Sequence, residues 1–265
     1  LFGQCGGCSW QNLPYEKQLK FKEEIARSTL HHLGRQFDFK ILPILPSPEV
    51  WRYRNKVDYT FGTGENGEAV LGFHEPGNYW RILDVEKCHI QPEIFDDLID
   101  EMRKFTREHG LKAYNPKSHE GIMRHFMLRC AVNTDEKPHP TLAVLATTEE
   151  ELPNREELVD RLRKRCPSFK GFIHGLNKSK GDVFKIQKKL FQWGDDYIME
   201  KVRHLELKVS ALSFFQTNTK AAERLYDNTL EFLELTGGQS LFDAYCGAGA
   251  IAIYCADKAA KVYGI

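Results

Sequence analysis

The chain has 265 residues, 42% of them hydrophobic, and balances 37 Lys and Arg against 37 Asp and Glu for a formal net charge of zero. That length buries a sizeable core and allows about two domains, while the charge balance excludes a whole-molecule pull on polyanions and leaves nucleic-acid binding to local patches. No apolar run approaches a membrane span, and no positively charged segment followed by an apolar core opens the chain, so it reads as soluble and cytoplasmic with no membrane partner.

Seven cysteines without regular spacing do not suggest a disulfide framework. Cys5 and Cys8 form a Cys-Gly-Gly-Cys turn, in which two thiolates can converge on one metal centre that needs further ligands from elsewhere. Residues 14–33 read as a helix, with Pro14 in the first turn, Tyr15, Leu19, Ala26, Leu30 and Leu33 along a stripe to be buried, and Gly34 as the stop.

From Trp51 to about Lys201, hairpins mix with helices. Val57, Tyr59 and Phe61 alternate with polar residues, and Ala69–Phe73 follow a Gly-Glu-Asn-Gly turn. Arg54 and Lys56 point the same way on a strand beside Tyr53, and Arg124, His125 and Arg129 lie on another. Both sets offer cations and planar groups to RNA, or are simply solvated outer faces. Cys88, after an apolar strand and before a helix, is a third ligand candidate or a small buried hydrophobe, and spacing alone favours the latter. Cys130 and Cys166 read as buried residues. A helix over about 92–109 carries Ile94, Phe95, Leu98, Ile99, Met102 and Phe105 and ends at Gly110. Strands near 122–132 and 141–147 flank the polar loop Asn133–Pro140, and a charged helix covers about 154–165, which together describe an α+β domain. The basic runs Arg161–Arg165 and Lys178–Lys189 read as solvated surface, with phosphate contact as the alternative.

From about Leu205 the grammar becomes α/β: strand, helix (about 219–235), strand, helix, strand. Phe214 and Phe215 either flank a cofactor or base or serve as core aromatics. The apolar strand from Ser240 runs into Asp243-Ala244-Tyr245-Cys246-Gly247-Ala248-Gly249, a glycine turn that opens a helix near Ala250 and suits a nucleotide-like cofactor. Such turns also carry glycine for packing alone. Ala252 fills the third small position of a dinucleotide fingerprint, so NAD is not excluded; Asp243, four residues before Gly247, tips the reading toward S-adenosylmethionine. Lys261–Ile265 reads as the next parallel strand, after which a ribose-binding carboxylate is expected. Leu1 is not a natural start and the last strand is unfinished, so the chain reads as an internal fragment.

Taken in order, Cys5-Gly6-Gly7-Cys8-x-x-Gln11, Arg54-Asn55-Lys56, Leu71-Gly72-Phe73 leading to Asp84-Val85 and Cys88, Ser213-Phe214-Phe215-Gln216-x-Asn218 and Asp243-x-Tyr245-Cys246-Gly247-x-Gly249 resemble the iron-sulfur RNA uracil-5-methyltransferases that act on 23S ribosomal RNA. The likeness covers nearly the whole chain. It implies that Cys5, Cys8 and Cys88 are ligands of a 4Fe-4S cluster whose remaining ligand falls upstream of Leu1. It implies that Gln216 and Tyr245 contact S-adenosylmethionine, beside Asp243, Gly247 and Gly249 of the turn. Arg54, Lys56, Arg124 and His125 are the RNA-contact candidates. In that family an RNA-binding TRAM barrel precedes the cluster. The nucleophilic cysteine, which adds to carbon 6 of uracil, and the general base come well after the glycine turn. This chain alone is therefore expected to be inactive, and Cys246 is expected to be structural.

The expected fold class is α/β plus α+β, a truncated Rossmann-like methyltransferase domain preceded by an α+β central domain with an iron-sulfur motif. The boundaries are 1–17 for the cysteine-pair segment, 18–50 for a helix and linker that the resemblance packs on the methyltransferase domain, 51–205 for the central RNA-binding domain and 206–265 for the methyltransferase part. The full-length protein is expected to be a monomer. Two other readings stand beside this one, a zinc-binding RNA-interaction module without catalysis and a Rossmann methyltransferase for a non-RNA substrate.

Overall fold

Val57, Tyr59 and Phe61 turn inward from β1 (Lys56–Thr63), as their two-residue period dictates. The computed structural model describes residues 1–34 and 39–265; the part of the expected 18–50 segment at 35–38 lies outside the described residues. Six further strands join β1 in one sheet: β2 (Ala69–Glu75), β3 (Asn78–Asp84), β4 (Met123–Cys130), β5 (Thr141–Thr147), β6 (Phe169–Leu176) and β7 (Lys188–Gly194), in the order β3-β2-β1-β4-β5-β6-β7. All neighbours are antiparallel except β5 and β6, where α3 (Arg155–Arg165) carries the chain back to start a parallel strand.

Every residue of β4 and β5 is buried, because both faces of the sheet are covered. On one face, α2 (Glu93–Glu108) presents Phe95, Leu98, Ile99, Met102 and Phe105 to Tyr59, Phe126 and Leu145, and α3 adds Leu158 and Leu162. Across the sheet, Met127, Leu142, Val144 and Ile173 meet Ile198, Val209, Phe215, Tyr226 and Tyr254. The second core thus belongs jointly to the sheet and to the C-terminal elements.

Two expectations change. The helix over 14–33 forms as α1 (Tyr15–His32), yet none of its residues is fully buried; Tyr15 and Leu19 are half-buried and Leu30 and Leu33 are exposed. The strand after Leu205, β9 (Leu205–Ser210), is not part of a parallel sheet. It pairs antiparallel with β8 (Tyr197–Val202), and the boundary at 205/206 divides that hairpin. After α4 (Thr219–Leu233), β10 (Ser240–Asp243) and β11 (Lys261–Gly264) do pair in parallel, but the connecting α5 (Ala250–Cys255) has only six residues before a 3-10 turn over Ala256–Lys258. The fold is mixed α/β, a sheet domain followed by a Rossmann-type βαβ unit.

Candidate functional site

The turn from β10 into α5 is built on positive φ angles. Tyr245 stands at +66°, Gly247 at +55° and Gly249 at +76°. Glycine reaches that region at little cost, whereas tyrosine does not, and such strain persists where its surroundings enforce it. Here the flanking bonds do so: Cys246 N–H donates to Ile265 O at 2.9 Å and Gly249 N–H to Cys246 O at 2.8 Å. The Tyr245 side chain is 97% exposed, and a Cβ built on Gly247 would meet nothing within 4 Å, so the turn presents an open face. Cys246 is packed against the next strand, where a Cβ on Gly264 would lie 2.9 Å from its sulfur. That agrees with a structural cysteine.

The Ser213–Asn218 segment is positioned by β1 and β4. Asn55, 1% exposed, donates its amide to Gln216 O (2.9 Å) and to Thr219 Oγ1 (2.8 Å), and its backbone N–H donates to Thr217 O (2.8 Å). Arg129 donates to Ser213 O at 2.6 Å. Asn218 caps α4, accepting from Ala221 N–H at 3.0 Å, and donates to Ser47 Oγ at 3.1 Å. Phe215 is buried in the second core and Phe214 is exposed, which separates their two readings. The Gln216 side chain makes no hydrogen bond among the described residues, and no bond joins it to the glycine turn; Phe215 and Tyr254 tie the two segments to one apolar cluster. Asn55 is the residue whose role sequence reading missed. Its one signal was an amide between two cations, on the inward position of the strand.

Cys5, Cys8 and Cys88 come within electrostatic reach of one another. Burial raises the Cys8 thiol pKa, and Cys88 and Cys5 raise it further; burial also raises that of Cys88, opposed by backbone hydrogen bonds from Ile90 and Gln91, with smaller increases from Asp96 and Cys5. Gly6 seats the turn on β2: its N–H donates to His74 O at 3.1 Å, and a Cβ there would fall 2.7 Å from that oxygen. Asp96 accepts from Cys88 N–H at 3.0 Å, and Arg52 donates to Cys88 O at 2.7 Å. All three cysteines are free and half-buried. Their chemistry, soft donors that crowd one another as thiolates, suits a thiophilic cation. Among the described residues, however, no group of three or more His, Cys, Asp or Glu is arranged to hold a metal ion. A cleft of about 540 Å³ opens beside them, lined by Cys8, Trp10, Tyr15, Trp51, Tyr53 and Asn218, and joins the cysteine turn to the Ser213–Asn218 segment.

The four RNA-contact candidates divide. Arg54 and Lys56 are half-buried at the start of β1; Arg54 donates to Lys56 O at 3.1 Å and Lys56 pairs with Asp58 at 2.9 Å. Arg124 and His125 do not lie on an outer face: they are 2% and 3% exposed. Burial lowers the pKa of Arg124 and holds that of His125 down to about 3. Arg129 is likewise buried, and burial lowers its pKa to about 10. The strand reading failed here because β4 is an interior strand covered on both sides, whereas outward-facing charge requires one face in water. Cys130, Cys166 and Cys255 are buried as well, the first two as expected.

Comparison with known proteins bears on the whole chain. It is similar to uncharacterized RNA methyltransferases of Halalkalibacterium halodurans (35% identity over 265 residues, 100% of this chain and 57% of the relative) and Clostridium acetobutylicum (39% over 268 residues, 100% and 58%). The chain thus spans little more than half the length of these curated relatives. Its fold is similar to that of the corresponding part of the Pyrococcus abyssi tRNA (uracil-54, C5)-methyltransferase solved with S-adenosyl-L-homocysteine, with a TM-score of 0.77 and 26% identity, over 98% of this chain and 59% of that one. No family model matches.

Proposed function

We propose that this chain is the cofactor-binding and RNA-facing part of an S-adenosylmethionine-dependent RNA methyltransferase that forms 5-methyluridine in 23S ribosomal RNA. The observation that carries the reading is the β10–turn–α5–β11 unit with its three left-handed residues, Tyr245, Gly247 and Gly249. The likeness to a uracil-C5 methyltransferase and to relatives named RNA methyltransferases supports it. Gly247 and Gly249 let the backbone lie against the cofactor, while Asp243, Tyr245 and Gln216 would hold it by hydrogen bonding and ring contact. When bound, S-adenosylmethionine supplies an electrophilic methyl group.

Carbon 5 of uracil needs activation, which a thiolate adding at carbon 6 provides. None of the seven cysteines suits that task. Cys130, Cys166 and Cys255 are buried, Cys246 is held against Gly264, and Cys5, Cys8 and Cys88 form the thiol cluster. In line with this, the family resemblance implies that the nucleophile and the general base lie outside this chain, and the purified chain is expected to form no 5-methyluridine from RNA and cofactor. Product formation by the chain would overturn that assignment.

In the same reading Cys5, Cys8 and Cys88 are three ligands of a 4Fe-4S centre with a structural role. Iron and acid-labile sulfide in anaerobically purified full-length protein, lost in Cys5→Ser and Cys88→Ser, are the expected result. Zinc in their place, with no methylated product, would favour the RNA-interaction module instead. The substrate is tested by mass spectrometry of ribosomal RNA from cells with and without the gene: loss of 5-methyluridine is expected, and unchanged 5-methyluridine content in 23S RNA overturns the assignment.

A further inference from the structure

The fold pairs the arginines of one basic run and leaves three loop lysines of the other unpaired; Lys188, near the end of the second run, pairs with Glu150 at 3.0 Å. On α3, Arg161 pairs with Glu101 (2.5 Å), Glu108 (2.6 Å) and Glu157 (3.3 Å), Arg163 with Asp160 (3.1 Å) and Arg165 with Asp97 (2.5 Å), so the three arginines of that run are neutralised within the chain, and of its cations only the exposed Lys164 has no ion-pair partner among the described residues. Lys178, Lys180 and Lys185, between β6 and β7, are exposed and have no ion-pair partner among the described residues.

This second run is an organised loop. Arg124 reaches it from β4 and donates to the carbonyls of Asn177 (3.0 Å), Ser179 and Gly181 (2.5 Å). Asn177 bonds across the loop to Val183 O (2.9 Å) and accepts from Ser179 Oγ (2.6 Å), and Lys178 N–H donates to Gln187 Oε1 (2.8 Å). The loop's one carboxylate, Asp182, faces inward between His125 (2.8 Å) and His74 (3.1 Å). Burying a guanidinium against carbonyls and the Tyr114 ring, 4.3 Å away, with no carboxylate bonded to it, is costly, which marks this loop's conformation as a built feature rather than a slack connection. The result is alternation: Asn177, Asp182 and Phe184 turn in, and the three lysines turn out.

An aromatic platform adjoins it. Tyr79 donates to Asp182 O at 3.4 Å and stacks on His74 with centroids 4.6 Å apart. The neighbouring Trp80 is 57% exposed, with Lys117 Nζ 4.8 Å from its ring centroid. At the loop's other side Lys56 Nζ lies 5.6 Å from the Phe184 ring, so Lys56, an RNA-contact candidate, borders the same surface.

We propose that this surface binds a single-stranded segment of RNA, with Lys178, Lys180 and Lys185 on successive phosphates and the Trp80 indole, flanked by Lys117, stacking on an unpaired base. It rests on the reading that the chain acts on RNA. Free cations of one sign beside a half-exposed indole are the two elements that single-strand binding uses, while a duplex hides its bases from such a platform.

The test is fluorescence anisotropy with a labelled oligouridylate at several salt concentrations. Replacing Lys178, Lys180 and Lys185 together by alanine is expected to lower the slope of log K against log salt by about 2, near 0.7 for each single-strand phosphate that is no longer neutralised. Trp80→Ala is expected to weaken binding about tenfold with the slope unchanged. The paired control, Arg163→Ala with Arg165→Ala, is expected to change neither. If the unaltered chain binds the oligonucleotide and the lysine and Trp80 variants bind equally well, this surface is overturned and the methyltransferase reading stands. If the unaltered chain binds no RNA, this surface falls, and the methyltransferase reading is decided separately by the 5-methyluridine content of 23S RNA. Equal binding of labelled polyglutamate, with the same slope, would make the surface an unselective anion patch and overturn the RNA assignment.

Discussion

Asn55, itself buried, joins the start of β1 to residues 216–219 through three hydrogen bonds, two from its side chain and one from its backbone. Asn55→Ala removes the side-chain pair and leaves Gln216 O without that donor. A loss of about 2 kcal/mol in denaturant-determined stability is expected, together with weaker cofactor binding by calorimetry if Gln216 shifts. Glu200 makes a second residue-scale prediction. Burial raises its pKa from 4.5 to about 7, although Val132 and Asn133 donate their N–H groups to it. A carboxyl whose folded pKa lies above its unfolded value stabilises fully below the unfolded value, and that contribution is lost as pH rises through the folded one. Stability is thus expected to fall by up to about 3 kcal/mol between pH 4.5 and 7 from this group. Glu200→Gln should flatten that window in urea titrations at fixed pH steps, at some cost in absolute stability because an amide nitrogen replaces one acceptor.

At the scale of elements, the loop 177–187 illustrates how an interior strand shapes an exterior segment. Arg124 was legible as a basic residue on a strand, but its direction was not, since whether β4 sits at an edge or in the middle depends on strands far away in sequence. Arg124→Met should keep the strand and release the loop: hydrogen exchange of amides at 178–186 is expected to quicken by about tenfold or more, while that of β4 and β5 stays slow. Unchanged exchange would mean that Asn177 and Asp182 hold the loop by themselves. The cysteine turn obeys a similar local rule. Gly6→Ala would force a Cβ to within 2.7 Å of His74 O, a backbone atom that cannot step aside, so the turn is expected to lift from β2, and the full-length protein to retain less iron by elemental analysis. Helix α1 is the counter-example, since its apolar stripe was read as buried and is largely exposed.

Across the whole molecule, the second core binds the sheet to the C-terminal unit. Ile173 of β6 and Val144 of β5 share one cluster with Phe215, Tyr226 and Tyr254. Ile173→Ala is expected to cost about 2–5 kcal/mol, with tryptophan fluorescence and far-UV circular dichroism shifting together, because the cavity would weaken both halves at once. Separate transitions would show that the two parts unfold independently.

The amino-acid sequence determined what depends on neighbours in the chain. The inward face of β1, the apolar stripe of α2 and the glycine turn at 247–249 follow from side-chain period and backbone freedom, both set within a few residues. The ordered motifs extended that to a family resemblance. What depends on residues brought together from afar was decided only by the tertiary structure. Asn55 meets Thr219, Arg124 meets Gly181, Asp182 meets two histidines from separate strands, and β9 takes β8 rather than β10 as its partner. The physical reason is burial. A charge or amide on a strand reads the same in sequence whether water or a second layer covers it, and only the packing of the sheet's two faces assigns it to one or the other.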